Sequence, residues 1–266
     1  MSDPTPEGVA EGGRLLLAEP APGVVQLTIS NPAKRGALDE PLLNALVETL
    51  TAIDARCVLL TGEGRSFCAG YDIGALSSDG YDDSDGHPFQ SALAAVADYP
   101  YPVVAALNGY AIGGGLELAI TCDLRIAAAG VQFGMPPAKL GVVYNHGGIN
   151  RFVTAIGAAR TRELFLTGRR VEAETAERWG LVNEVVPADE LPTAALALAV
   201  EIAANAPLSL RGNKAAIAAV SAAAGALDDA TAAALDRSRR EAFLSDDLRE
   251  GLAAFAEKRP PVWRGR

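Results

Sequence analysis

The sequence predicts an α/β fold that ends in a helical region. Three patterns carry this expectation. Short apolar runs of strand type alternate with helix-period stretches in the first part of the chain. Two of those runs, 56–61 and 103–107, lead straight into glycine-rich turns. From Thr161 onward the apolar residues recur mainly at helical spacing. The order strand, strand, helix, strand, then strand–elbow–helix argues for layered α/β structure with parallel strands.

Taken in order, residues 14–18 and 24–29 read as strands joined by a Pro-Ala-Pro-Gly turn, and Asn31-Pro32 closes the second. Asp39 is placed to cap a helix over 40–53, with Pro41 tolerated in its first turn. Leu42, Leu43, Leu46, Val47 and Leu50 form its apolar stripe. Residues 56–61 make the next strand. The stretch 76–88, LSSDGYDDSDGHP, is polar and acidic and reads as a mobile loop containing a loop histidine, His87. A helix is expected over 89–97, a strand over 103–107, and short strands over 124–128, 131–133 and 181–186. Further helices are expected over 162–166, 173–179, 192–205, 214–224 (stopped by Gly225), 232–243 (capped by Thr231) and 246–258. Leu248, Leu252 and Phe255 lie on one stripe of the last.

The stretch 102–123, PVVAALNGYAIGGGLELAITCD, carries the chemistry. A buried strand is broken by Asn108-Gly109, and Gly113, Gly114 and Gly115 then open a helix. Glycines at a helix start let another group approach the backbone closely. The first turn also offers N–H groups and a partial positive charge. Glu117, three residues past Gly114, lies about one turn further in and on nearly the same face. An oxyanion donor and a carboxylate then face one volume; the competing possibility is a helix whose glycines serve only close packing.

The second glycine turn, TGEGRSFCAGYDI, decides between them. Phe67–Asp72 fits a pattern F-x-A-G-x-D, and Asn108–Glu117 fits N-G-x-x-x-G-G-G-x-E. With NPAKRGALD at 31–39, the FG-x-P run at 133–136 and the KRPPVW tail, these segments resemble the crotonase superfamily, the enoyl-CoA hydratase/isomerase family, over nearly the whole chain. The resemblance implies a crotonase-like spiral of ββα units with a C-terminal helical trimerisation region. It also implies a thioester oxyanion hole made by the backbone N–H groups of Tyr71 and Gly114, with Glu117 as acid/base. Lys34, Arg35 and Ala37 fall in a loop that the family places near coenzyme A. Ala69, Gly70, Asp72, Ile73, Gly113 and Pro136 border the same site, and Phe255 and Lys258 match positions that reach a neighbouring subunit's CoA. The implied partner is an acyl-CoA thioester, the implied assembly a homotrimer or a hexamer built as a dimer of trimers. No metal or redox cofactor is implied, since coenzyme A arrives with the substrate.

One departure matters. Hydratases of the family carry a second glutamate twenty residues after the first, and here that position is Pro137, which has no titratable group. Hydration adds a hydroxide equivalent at Cβ and a proton at Cα, a task suited to two carboxylates. Tyr144, Asn145 and His146 follow soon after as candidate substitutes, before two glycines and the start of another helix; an aromatic lid is the ordinary role of Tyr144 and capping or packing that of His146. A hydratase-like lyase is expected, with an isomerase as runner-up. A decarboxylase or thioesterase on the same fold, and a non-catalytic acyl-CoA binder, are the alternatives.

Composition bounds the rest. A chain of 266 residues with 49% apolar content can bury a large core. A formal charge of −10 argues against a nucleic-acid surface but not against an anionic ligand met by local N–H groups. Cys57, Cys68 and Cys122 lack metal-ligand spacing and read as buried free thiols, Cys68 included. The acidic, polar start lacks an apolar targeting segment, so a cytoplasmic protein is expected. Residues 1–12 are expected to be disordered, 13–200 to form the α/β core with the CoA/acyl site, and 201–266 to form the helical oligomerisation region.

Overall fold

A computed structural model describes residues 12–72, 87–224, 229–262 and 264. The expected disorder of the first residues, most of the acidic loop, the Gly225 stop and Ile73 therefore lie outside the described residues, or nearly so in the case of 1–12.

A six-stranded sheet runs in the order β1 (Arg14–Ala21), β2 (Val24–Ser30), β3 (Cys57–Gly62), β5 (Val103–Leu107), β7 (Leu124–Ala128), β10 (Glu184–Val186). Only the β1–β2 pair is antiparallel. A four-stranded sheet takes the intervening strands β4 (Ser66–Cys68), β6 (Tyr110–Ile112), β8 (Gln132–Gly134) and β9 (Arg170–Glu172). Three successive turns, β3–β4, β5–β6 and β7–β8, thus lay one strand in the large sheet and the next in the small one, before a helix returns the chain. This is the expected ββα spiral. Pro20 is tolerated because β1 is an edge strand, which needs no ladder donor there.

Both faces of the central strands are covered, so β5 is buried at every residue and β3 at all but Thr61, rather than alternating. Val58 and Leu60 of β3 point into the main core with α1 (Glu40–Ala52) and α2 (Pro88–Asp98). Cys57 and Leu59 point to the other side, against Ala195, Ala199 and Ile202 of α7 (Leu191–Ala204). Asp39 caps α1 as expected, its Oδ1 accepting from the Leu42 N–H at 3.1 Å.

The crossing from one sheet to the other sets the later geometry. Asn108 accepts from the Gly62 N–H at 3.0 Å and donates to the Gly64 carbonyl at 3.0 Å, tying the β5–β6 step to the β3–β4 step. β6 leads into α3 (Gly114–Thr121), a helix buried over nearly its whole length. Arg125 on β7 anchors its far end. This guanidinium is buried and donates to the Cys122 carbonyl at 2.6 Å and the Leu181 carbonyl at 2.7 Å, so its charge closes the carbonyl end of α3.

Several boundaries differ from the expectations above. The helices α4 (Pro137–Leu140) and α5 (His146–Thr167) cover a stretch in which one helix was expected to begin at Gly147-Gly148 and another to span 162–166. α5 is interrupted at Gly157 (φ 75°, ψ 161°), which breaks the helical period. α6 (Ala173–Trp179) matches its expected bounds. α8 (Pro207–Ala224) and α9 (Asp229–Phe243) begin earlier than expected, and α10 (Asp246–Ala256) stops two residues short. Leu208, Ile217 and Val220 of α8 are strongly exposed. Among the described residues no single helix is long and apolar enough to cross a membrane.

Replacing Arg125 by Met leaves carbonyls at the end of α3 without their donor inside the core. Unfolding in denaturant is expected to show a loss of about 2–3 kcal/mol. An unchanged midpoint and slope would show that α3 is held by packing alone.

Candidate active site

The N-terminus of α3 is pressed against the segment that follows β4, backbone to backbone. A Cβ on Gly115 would lie 2.3 Å from the Cys68 carbonyl oxygen, and one on Gly70 would lie 2.8 Å from that of Ile112. Only residues without side chains permit this approach. Gly113, the N-cap of α3, has φ 55° and ψ −125°, a conformation essentially reserved for glycine.

Two N–H groups converge as a result. Leu38 pairs with Tyr71 in a parallel bridge, with the Leu38 N–H donating to the Gly70 carbonyl and the Asp72 N–H to the Leu38 carbonyl. In such a ladder the intervening residue's own N–H faces away from the partner strand. The Tyr71 nitrogen accordingly lies toward α3, 3.3 Å from where a Gly114 Cβ would be. The Gly114 nitrogen lies 3.5 Å from where a Gly70 Cβ would be. Gly114 is the first residue of the helix, where no intrahelical acceptor is within reach.

Both residues line a cavity of about 1310 Å³, and Glu117 lines it too. The Glu117 side chain is fully buried and its Oε1 accepts from Nη1 of Arg151 at 2.9 Å. Arg151 lies on α5. Tyr71 stacks edge-on with Phe89 at 6.2 Å, and burial, followed by Glu40 and Asp72, raises its phenol pKa. Tyr144 lines the cavity and is backed edge-on by Phe165 at 5.5 Å.

The sequence candidates divide accordingly. Arg35, Ala69, Gly70, Tyr71, Gly113, Gly114, Glu117, Pro136, Pro137, Tyr144 and Phe255 all line the cavity. Phe255 does so in its own chain. Lys34 is tied to Asp72 at 2.5 Å beside the cavity, and Ala37 is buried in the turn, where its carbonyl accepts from the Asn31 side chain. Lys258 is exposed and, like Lys34, Ala37 and Asp72, is not among the lining residues. His146 also stands apart. As the first residue of α5 it turns toward α9, with Nδ1 3.5 Å from Oδ1 of Asp236. Pro137, at the first position of α4, puts a ring without a titratable group in the cavity wall.

Sequence reasoning missed Arg151, 34 positions from its partner; the only local signal is its placement one turn after Gly148 in the run GGINR. It also missed the cations Arg65, Lys139 and Arg170, which join Arg35 in the cavity wall. These basic groups collect at one cavity of a chain with net charge −10. Among the described residues no cluster of His, Cys, Asp and Glu is disposed to hold a metal.

A family model described as enoyl-CoA hydratase/isomerase matches residues 19–266. A probable enoyl-CoA hydratase of Mycobacterium leprae is 38% identical over 247 residues, covering 90% of this chain and 94% of its own. A carnitinyl-CoA dehydratase of Salmonella paratyphi A is 37% identical over 257 residues, covering 91% and 95%. Among solved structures, methylmalonyl-CoA decarboxylase in complex with 2-nitronate-propionyl-CoA superposes with a TM-score of 0.89 at 29% identity, over 95% of this chain and 98% of the other. An enoyl-CoA hydratase/isomerase from Pseudoalteromonas atlantica T6c does so with a TM-score of 0.82 at 30% identity, over 94% and 99%.

All three thiols, Cys68 beside the hole included, are buried, and burial pushes each up to about 12. Iodoacetamide at pH 8 is therefore expected to leave the native protein unlabelled and to add three groups in denaturant, read by intact mass. Rapid native labelling of Cys68 would show that its thiol is accessible and reactive.

Proposed function

On the premise that the chain belongs to the enoyl-CoA hydratase/isomerase family, within the crotonase superfamily, and acts on acyl-CoA, we propose that it is a hydratase-type lyase for an enoyl-CoA thioester. The observation that carries this is the convergence of the Tyr71 and Gly114 nitrogens with Glu117 on one cavity. The thioester oxygen is assigned to the two N–H groups. Each such donor is worth about 3–4 kcal/mol when charge develops on the oxygen. Glu117 takes a proton from water as the water oxygen bonds to Cβ. The π electrons move onto the thioester oxygen, and the proton is then delivered to Cα of the resulting enolate. No cofactor takes part in this scheme, and the phosphates of coenzyme A are assigned to Arg35, Arg65 and Arg170.

One carboxylate must here serve both proton steps, because Pro137 supplies none. Hydration is expected to run on the order of 10²–10⁴-fold below an enzyme with both groups. That observation favours a second scheme, a double-bond shift in which Glu117 moves a proton between Cα and Cγ. The high TM-score with a decarboxylase adds weight to a third, loss of CO₂ into the same enolate. We also propose a trimer or a dimer of trimers, supported by the exposed apolar residues of α8 and by the family, and a cytoplasmic location, in keeping with the free thiols.

A panel of enoyl-CoA and carboxyacyl-CoA thioesters, followed by product mass and double-bond position, separates these schemes. Glu117→Gln should lower turnover at least about 100-fold while CoA-thioester affinity stays within a few-fold. Pro137→Glu should raise hydration about tenfold or more, since the first helical position accepts glutamate as readily as proline. Full turnover in Glu117→Gln would remove Glu117 from the chemistry. Quaternary structure is checked by sedimentation at micromolar concentration, where a stable monomer would contradict the trimer.

A further inference from the structure

The first turns of α5 form a cradle for the Glu117 carboxylate. Gly148 makes the space: a Cβ there would lie 2.7 Å from Glu117 Oε1. Asn145, the N-cap, orients that turn by accepting from the Gly148 N–H. Arg151, three residues on and therefore on the same face, supplies the charge at 2.9 Å. The carboxylate is fully buried, whereas Arg151 keeps 30% of its side chain exposed. Arg151 is not among the residues lining the cavity, whereas Glu117 is.

We propose that Arg151 is a positioning residue that fixes the Glu117 carboxylate in one rotamer and keeps it ionised, so that Glu117 enters every turnover as a base. This deepens the assignment of Glu117 as acid/base and rests on it. A buried carboxylate without a cation takes up a proton instead of keeping its charge, and would begin the cycle as an acid. The pairing therefore fixes the direction of the first proton movement, from water or substrate to the enzyme.

Among the described residues, the other elements packed against α3 bring few titratable groups. β4 brings Cys68, whose thiol is pushed up to about 12 by burial and is neutral. β6 brings Tyr110, whose ring lies under Arg170. The α2 residues that reach the cavity, Phe89 and Gln90, are uncharged. The β7 cation, Arg125, sits at the opposite end of α3. On α5 itself, His146 faces Asp236, and Arg160 lies over Trp179. Beside the helix, the Tyr71 phenol has a raised pKa and stays neutral.

The test reads the carboxyl directly, without turnover. Full-length protein labelled with [5-¹³C]glutamate is titrated by NMR, and the Glu117 signal is assigned by its loss in Glu117→Gln. Removing the cation in Arg151→Met should move the Glu117 midpoint upward by at least about one pH unit, while Arg151→Lys should bring it back toward the parent value. In the same variants the acid limb of the kcat/KM profile should move upward with it, costing about tenfold or more at pH 6 relative to pH 8. Gly148→Ala, which crowds Oε1 but keeps Arg151, gives a second line: the signal should shift and the midpoint rise. An unmoved Glu117 midpoint in both Arg151→Met and Gly148→Ala overturns the proposal. A midpoint that moves while turnover survives Glu117→Gln would leave the pairing standing and remove the catalytic role on which it rests.

Discussion

The structure depends on one close backbone contact, the entry of α3 against the segment after β4. Gly115 against the Cys68 carbonyl and Gly70 against the Ile112 carbonyl bring two chain segments to a separation that no side chain permits. A cavity wall with two adjacent N–H groups follows from that contact. Nothing else in the fold brings the Tyr71 and Gly114 nitrogens together. They belong to different turns of the spiral and share no strand pairing of their own.

The surrounding fold serves to hold that contact. The two sheets share one winding, so β4 and β6 are neighbours because β3 and β5 are. Asn108 ties the two crossings, and Arg125 secures the other end of α3. A helix with buried glycines at its start has poor intrinsic stability. Its burial over nearly every residue and its anchored carbonyl end offset that weakness. Against this wall the other side of the cavity is built from α4, the segment 142–145 before α5 and aromatic side chains from separate elements, among them Phe243 and Phe255 near the end of the chain. Variation in substrate is more easily accommodated on that side.

Much of this was legible in the sequence. β3 and β5 are buried on both faces and stood out as continuous runs, and the Asp39 cap was readable from residue type and position. The strands of the small sheet were harder: β4, β6, β8 and β9 have three residues each, too few to show a period. The start of α5 after its two glycines was legible, but its length was hidden by the break at Gly157. In the site, the loop motifs identified Tyr71, Gly114 and Glu117, since backbone donors depend on local glycine geometry that local sequence encodes. Arg151 was not legible, because its partner lies 34 positions away and only tertiary packing joins them. His146 adjoins cavity residues in sequence, yet one helical step rotates it toward α9.

The central claim is that the Tyr71 and Gly114 nitrogens receive one thioester oxygen beside Glu117. A crystal structure of Glu117→Gln with an enoyl-CoA bound tests it most directly. The account predicts the thioester oxygen within about 3.2 Å of both nitrogens, and Cα or Cβ against the side chain at position 117. A thioester oxygen bound elsewhere in the cavity, or an acyl chain that never approaches position 117, would contradict it.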